Sequence, residues 1–309
     1  MSRGEQFARA GEIELCYETF GSPADPPVLL VMGLAAQMVV WDDDFCRALA
    51  DRGLWVIRFD NRDVGRSTIH RDAPVPTRLQ LLRRDRRAAS YSLADMAADA
   101  VGLLNHLEID AAHLVGASMG GMIAQLVAIE HPHRALSLVS IMSTTGSRWV
   151  GQAHPTLLPR LLRRSRLDRA GYVEDFLATY RAIGSKRYPP DPERTRTIAE
   201  RCFDRGVHPA GAARQMAAIV TAGNRTDRLR KLNLTTTVIH GTADRLVMPS
   251  GGRAAAAAIP GARLVMIPAM AHGLPPALWP QVLEEISRAV DTSRQQATDK
   301  ELHGRHQHA

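Results

Sequence analysis

The segment HLVGASMGG, at positions 113–121, constrains the fold more than any other part of this sequence. An apolar run of strand character leads into Ser118, which has one glycine two residues before it and another two residues after it. Glycines at these positions leave room for a tight turn between the end of a strand and the start of a helix. The G-x-S-x-G pattern predicts a nucleophile elbow, which raises the serine hydroxyl above the end of a parallel sheet. The alternative is a glycine-rich turn with an incidental serine.

Strand-like and helix-like patterns alternate along most of the chain. The stretch 92–107 is the clearest helix, because its apolar residues recur at intervals of three and four and Ser92 and Asp95 form a capping box at its start. The segment 7–20, with Gly11 at its turn, predicts an antiparallel hairpin. The other predicted strands lie at 27–32, 54–59, 113–115, 136–142, 236–239 and 264–267. These patterns predict an α/β fold with a mostly parallel, eight-stranded sheet and helices on both faces.

The alternation stops once, between residues 146 and 225, where helical patterns occur without a convincing strand. This break predicts an all-helical cap at 146–225, inserted into a core that consists of residues 1–145 and 226–290. Residues 291–309 are polar and have no apolar periodicity, which predicts a disordered tail.

Composition excludes several classes of protein. The chain has 309 residues, of which 45% are hydrophobic, as in ordinary globular proteins. No uncharged apolar stretch reaches the ~18 residues of a transmembrane helix, and the first dozen residues have no signal-peptide core, so we expect no membrane partner. The cysteines are few, odd in number and scattered, which indicates neither a disulfide framework nor a zinc site and favours a cytoplasmic location. They are Cys16, Cys46 and Cys202.

The net charge of +7 does not by itself indicate a nucleic-acid partner. Only three of the 39 basic residues are lysines, so the arginine excess is general to the chain. The densest basic runs, at 83–87 and 160–169, contain no aromatic residues and match no nucleic-acid-binding motif. We therefore expect no nucleic-acid partner, and the sequence leaves the oligomeric state open.

A nucleophilic serine needs a base and an acid that orients the base. In a fold with this elbow the chain order is serine, acid, histidine, and His272 follows the last predicted strand, where a loop can reach Ser118. Asp244 follows the preceding strand, and the other usual position is excluded because no acidic residue lies between Glu130 and Asp168. The sequence predicts a Ser118–His272–Asp244 triad.

An oxyanion hole for this serine requires two backbone N–H groups. Met119, directly after the nucleophile, is expected to supply the first, and Leu34, in the loop after strand 27–32, the second. Gly33 permits close approach of that loop. This chemistry requires no metal and no organic cofactor.

These motifs resemble those of the α/β-hydrolase-fold serine hydrolases with a helical cap, from residue 5 to residue 290. The segment RFDNRDVGRST at 58–68 is similar to the turn after the fourth sheet strand of that family, where Asp60 and Arg62 are expected to brace the turn. The segments 31–68 and 116–146 resemble the aclacinomycin methylesterase-like hydrolases of polyketide biosynthesis. The chain departs from many members at Met32-Gly33, where they have His-Gly.

The resemblance implies acyl transfer on a small to medium apolar ester, such as a methyl ester. We expect the cap to define the substrate pocket. For each candidate pocket residue, packing of the cap against the sheet is as good an interpretation as contact with the substrate. The substrate-binding candidates are Gly33, Trp41, Trp149 and Tyr180. Further candidates for the pocket are Met38, Leu157, Leu158, Phe176 and Met216. A carbon–carbon bond or lactone hydrolase with the same triad is the alternative within enzymes, and a non-catalytic small-molecule binder is the alternative outside them.

Overall fold

A single eight-stranded sheet organises the molecule. The computed structural model describes residues 4–157 and 166–306 of the chain, with side chains to residue 299. The strands are β1 (Gln6–Ala10), β2 (Ile13–Phe20), β3 (Pro27–Val31), β4 (Trp55–Phe59), β5 (Ala112–Ala117), β6 (Ala135–Ile141), β7 (Thr235–Gly241) and β8 (Arg263–Ile267). Their order across the sheet is β1-β2-β4-β3-β5-β6-β7-β8. β2 is antiparallel to β1 and β4, and the remaining pairs are parallel, which confirms the predicted architecture.

Helices cover both faces of this sheet. They are α1 (Asp43–Ala50), α2 (Arg78–Arg83), α3 (Leu93–His106), α4 (Met119–Glu130), α5 (Arg169–Ile183), α6 (Pro192–Arg205), α7 (Pro209–Thr221), α8 (Thr226–Leu229), α9 (Ser250–Ala258) and α10 (Trp279–His306). Helices α3 and α4 pack in one hydrophobic cluster, and α1 and α10 in the cluster on the opposite face. The central strands are therefore apolar on both sides, and every residue of β5 is buried.

Helices joined by turns and loops form the described part of the segment between β6 and β7. Helices α5 to α8 lie there, and the described part of this segment contains no strand. Residues 158–165, which include the predicted pocket residue Leu158, lie outside the described residues. The exact limits of the cap, at 146 and 225, stay a prediction.

The structure corrects the prediction of a disordered tail at 291–309, because helix α10 continues to His306. Val282, Ile286 and Val290 bury the first half of this helix against the sheet. The second half contains good helix formers, namely two Arg, two Gln and one each of Ala, Lys, Glu and Leu, which extend an existing helix at little cost. Ser293 Oγ also donates a hydrogen bond of 2.6 Å to the carbonyl of Leu136, which ties the polar half to β6. Absence of an apolar period was therefore a poor indicator of disorder here.

The loop after β4 joins the sheet to the helical segment through two buried ion pairs. Asp60 accepts hydrogen bonds from the Met38 and Arg66 amides, and its carboxylate lies 2.7 Å from the Arg205 guanidinium of α6. Asp63 accepts two hydrogen bonds, of 2.7 and 2.8 Å, from Arg214 of α7. Asp60 thus braces the turn as expected.

Arg62, the other residue expected to brace this turn, points to α3. Its guanidinium pairs with Asp99 at 2.6 Å and lies over the Tyr91 ring. The side chain therefore braces the loop from the outside, against α3, while Asp60 braces it from within.

We expect Arg214→Met to lower the free energy of unfolding by about 3–5 kcal/mol, because it leaves the buried Asp63 carboxylate without its counter-ion. The side chains of Arg214 and Asp63 are 1% and 0% exposed. Arg230→Met is the matched control, since Arg230 pairs with the exposed Asp227, and its cost should stay below about 1 kcal/mol. Urea unfolding of the three proteins measures both values. Equal costs for the two variants would contradict the anchoring role of Arg214.

The same ion pair makes a contribution to stability that depends on pH. Burial opposes ionisation of Asp63, but hydrogen bonds from Arg214, the His70 amide and the Tyr91 hydroxyl outweigh it and hold the pKa of Asp63 below its usual value. The stability from this group is present above the ordinary carboxyl pKa and is lost as pH falls through the native-state pKa. The stability difference between the native protein and Arg214→Met should therefore shrink in acid.

Candidate active site

The serine of the G-x-S-x-G motif lies in a strained turn between β5 and α4. Ser118 has φ 56° and ψ −119°, in the left-handed half of the map that non-glycine residues rarely occupy. Such a conformation costs about 1–3 kcal/mol and persists only where the surroundings enforce it. Here the Ser118 amide donates to the Ile141 carbonyl at 2.9 Å, which continues the β5–β6 pairing into the turn. The serine is partly exposed, whereas its neighbours on both sides are buried.

Two glycines make this turn sterically possible. A Cβ on Gly116 would collide with the Gly120 carbonyl, across the elbow. A Cβ on Gly120 would collide with the Val31 carbonyl, at the end of β3. The elbow therefore packs against the neighbouring strand with no space for a side chain, which explains the glycine spacing in the motif.

The structure brings the predicted acid, base and serine together. His272 Nδ1 lies 2.8 Å from Asp244 Oδ2, and His272 Nε2 lies 3.0 Å from Ser118 Oγ. Asp244 is 2% exposed and His272 is 7% exposed, so this contact chain is shielded from solvent except at the serine. The three residues follow β7, β8 and β5, whose carboxyl ends meet at one edge of the sheet.

Backbone donors fix the orientation of the Asp244 carboxylate. Its Oδ1 accepts hydrogen bonds from the Leu246 and Val247 amides, both at 2.9 Å, which leaves Oδ2 for the histidine. His240 Nε2 lies 3.5 Å from Oδ2 but hydrogen-bonds to the Val247 carbonyl at 2.8 Å. Burial lowers the pKa of His240, which favours the neutral form of this ring beside the acid.

The loop that carries the histidine is held by the helical segment. The His272 amide donates to the carbonyl of Ile183, the last residue of α5, at 3.0 Å. Ser185 Oγ donates to the carbonyl of Ala269 at 2.6 Å, and Ala269 has a positive φ of 60°. Sequence reasoning missed both contacts, because they join a helix end to a loop more than 80 residues away with no local pattern.

Two backbone amides are available beside the serine. Met119 is the first residue of α4, so no carbonyl of that helix accepts its N–H. The Ala36 amide donates a hydrogen bond of 3.3 Å to the Gly33 carbonyl, which closes a turn whose second residue is Leu34. The Leu34 N–H takes no part in this bond. This turn lies against the nucleophile, because a Cβ on Gly33 would be 3.2 Å from Ser118 Cβ and 3.7 Å from its Oγ.

The predicted substrate-binding residues have different surroundings. Trp41 is 2% exposed and stacks on Phe45 in the core, as the packing interpretation predicts. Trp149 is 84% exposed at the surface. Tyr180 stacks on Phe176 with the ring centroids 4.4 Å apart, and burial raises its pKa. The substrate-binding roles of these residues stay predictions.

The described residues contain neither a metal-binding cluster nor a membrane-spanning helix. No group of three or more His, Cys, Asp or Glu side chains among them is arranged to hold a metal ion. No helix in the described part of the chain has the length and apolar character to cross a membrane.

Comparison with known proteins identifies the family. The sequence pattern of the alpha/beta hydrolase fold matches residues 26–275, and the chain belongs to this family. It is similar to a rhodomycin D methylesterase of Streptomyces peucetius, with 28% identity over 93% of this chain and 97% of that protein. The predicted fold and the predicted enzyme class, a hydrolase of this fold, are thereby confirmed.

Solved structures show the same fold. A hydrolase of Pseudomonas aeruginosa is 25% identical, with a TM-score of 0.68 over 92% of this chain and 97% of that one. An enol-lactonase of Burkholderia xenovorans is 22% identical, with a TM-score of 0.64 over 95% and 98% of the two chains.

Proposed function

We propose that this protein hydrolyses carboxylic esters through a covalent acyl-enzyme on Ser118. One observation carries the proposal: the Asp244, His272 and Ser118 side chains form a continuous contact chain of 2.8 and 3.0 Å that ends at a partly exposed hydroxyl. A serine hydroxyl at its ordinary pKa is a weak nucleophile, and an oriented imidazole within hydrogen-bond reach is what activates it.

Each group has one role in the proposed mechanism. With Asp244 accepting a hydrogen bond from Nδ1–H, His272 presents an unprotonated Nε2 to Ser118 and takes the hydroxyl proton as Oγ attacks the ester carbonyl. The new C–O bond produces a tetrahedral oxyanion, and the charged imidazole then gives the proton to the departing alkoxide. Water, deprotonated by His272, attacks the acyl-enzyme in the same way, and the acid leaves as Ser118 recovers its proton.

The oxyanion faces the amides of Leu34 and Met119 in this proposal. Both belong to the main chain, so their donor strength does not depend on the side chains at these positions. Met119 also begins α4, a helix of 12 residues, and the positive end of the helix dipole favours negative charge at this point. Losing one such donor costs about 3 kcal/mol of transition-state stabilisation in comparable enzymes.

A small to medium apolar methyl ester is the substrate class that we propose. The support is the similarity to the rhodomycin D methylesterase, which extends over nearly the whole of both chains. A lactone is the second candidate, because the enol-lactonase shares the fold, and the same acyl transfer opens a cyclic ester.

A fluorophosphonate probe, followed by intact-mass and peptide mass spectrometry, tests the nucleophile. We expect one adduct, on Ser118, and continuous turnover of p-nitrophenyl esters and of aromatic methyl esters. Faster opening of lactones than of matched linear esters would favour the second candidate. A single slow covalent event without turnover would indicate a binder, and absence of both in folded protein would contradict the proposal.

A further inference from the structure

One buried glutamine of the helical segment reaches the turn that carries Leu34. Gln215 lies on α7 and is 0% exposed. Its Oε1 accepts a hydrogen bond of 2.8 Å from the Ala35 amide, and its Nε2 donates one of 2.8 Å to the Arg62 carbonyl. The side chain thus bridges the loops after β3 and β4, with both ends of the amide satisfied.

The turn needs such a partner because its conformation is unfavourable. Ala35 has a positive φ of 56°, a region where an alanine Cβ crowds its own backbone and costs roughly 1–2 kcal/mol. Rotation of the peptide between Leu34 and Ala35 would relieve that cost and reverse the Ala35 N–H. The hydrogen bond to Gln215 Oε1 opposes this rotation, since the reversed peptide would leave the buried Gln215 oxygen without a donor, which is costly.

The Leu34 N–H belongs to the adjacent peptide of the same turn. Asn61 Nδ2 fixes the residue before the turn through the Met32 carbonyl at 3.0 Å, so the strand end is held independently. Gln215 holds the other side, through Ala35. Without the bond to Gln215, the turn at 33–36 loses its attachment beyond the strand end, so it can shift as a unit and move the Leu34 amide relative to Ser118.

We infer that Gln215 is a positioning residue for the oxyanion hole, acting through the Ala35 amide on the Leu34 donor. The inference rests on the proposed function. The helical segment would thereby contribute to transition-state stabilisation, in addition to covering the sheet edge. A purely structural role, attachment of α7 to the core, is the competing explanation.

Gln37 provides a matched control for that explanation. It is 3% exposed, accepts a hydrogen bond of 2.6 Å from Arg205, and donates to the carbonyls of Cys202 and Gly206 at 2.8 Å each. It therefore links the core to α6 with comparable bonds, but none of them reaches a residue of the turn at 33–36.

We expect Gln215→Met to lower kcat for a p-nitrophenyl ester by about 10- to 100-fold. Deleting an oxyanion-hole donor lowers kcat by about 10²–10³-fold, and displacing the donor should cause part of that loss. KM should change little, and affinity for an arylboronic acid, which forms a tetrahedral adduct on the serine, should fall in parallel with kcat. Gln37→Met should lose similar stability in urea while kcat and boronate affinity stay near native values. Parallel losses of kcat in both variants, or none in Gln215→Met, would overturn the inference.

Gln215→Glu keeps the test decisive if the methionine variant does not fold. A neutral carboxylic acid can accept from the Ala35 amide and donate to the Arg62 carbonyl as glutamine does, and burial raises the pKa of such a group. The activity of Gln215→Glu relative to native protein should therefore rise as pH falls. A ratio that does not change with pH would contradict the role of these two hydrogen bonds. Native protein that lacks turnover would instead remove the proposed function itself.

Discussion

Ser118→Ala is expected to lower kcat for ester hydrolysis by roughly 10⁴- to 10⁶-fold, which is the loss seen when the nucleophile of a comparable triad is removed. Ser143, which lies beside Ser118, is not free to replace it, because its Oγ already donates to the Ser118 carbonyl at 2.8 Å. The fold should survive, since alanine is smaller than serine and the Ser118 amide keeps its bond to Ile141. Steady-state kinetics and urea unfolding of the purified variant measure both effects.

Ser137→Ala is the appropriate control for this experiment. Ser137 is buried at the opposite end of the neighbouring strand β6, where it contacts the His113 ring at 2.9 Å. Its replacement should cost stability without a large change in kcat. Ester turnover that persists in folded Ser118→Ala would show that the hydroxyl is not the nucleophile.

Asp244→Asn has the second-largest expected effect, a fall in kcat of about 10⁴-fold. The Leu246 and Val247 amides donate to Oδ1, so the carbonyl oxygen of an asparagine must take that position. The asparagine NH₂ group then faces His272 Nδ1. Because this group is a donor, Nδ1 must accept a hydrogen bond from it and cannot carry a proton. The imidazole is forced to carry its proton on Nε2, toward Ser118, and can no longer act as a base.

The fold should be little affected by this substitution, because asparagine has nearly the shape of aspartate. Asp227→Asn is the control, since Asp227 forms an exposed pair with Arg230 and lies outside the site. Near-native rates in Asp244→Asn would mean that another carboxylate orients the histidine.

The sheet and the three residues of the contact chain could be predicted because each has a local pattern. Apolar runs fix the strands, the glycine spacing fixes the elbow, and the chain order of acid and base follows from where strands end. His272 and Asp244 could be selected because only a residue just beyond a strand's carboxyl end can reach the elbow.

The missed features depend on contacts between distant parts of the chain. Gln215 and Ala35 are 180 positions apart, and nothing around a single glutamine on a helix indicates its partner. The same holds for Arg214 and its buried Asp63 partner, 151 positions away, since the sequence shows only another arginine among many. The helical tail was missed for a different reason, because helix propensity extends an anchored helix where hydrophobic periodicity has already ended.

The contacts between the helical segment and the core have a consequence for protein engineering. Exchanging this segment alone with that of a relative would separate Arg205, Arg214 and Gln215 from the core residues that they contact. A chimaera of this kind would inherit buried carboxylates without counter-ions and an unsupported turn beside Ser118. Transfer of substrate range within this family should therefore succeed only when the recipient loops after β3 and β4 are exchanged together with the helices.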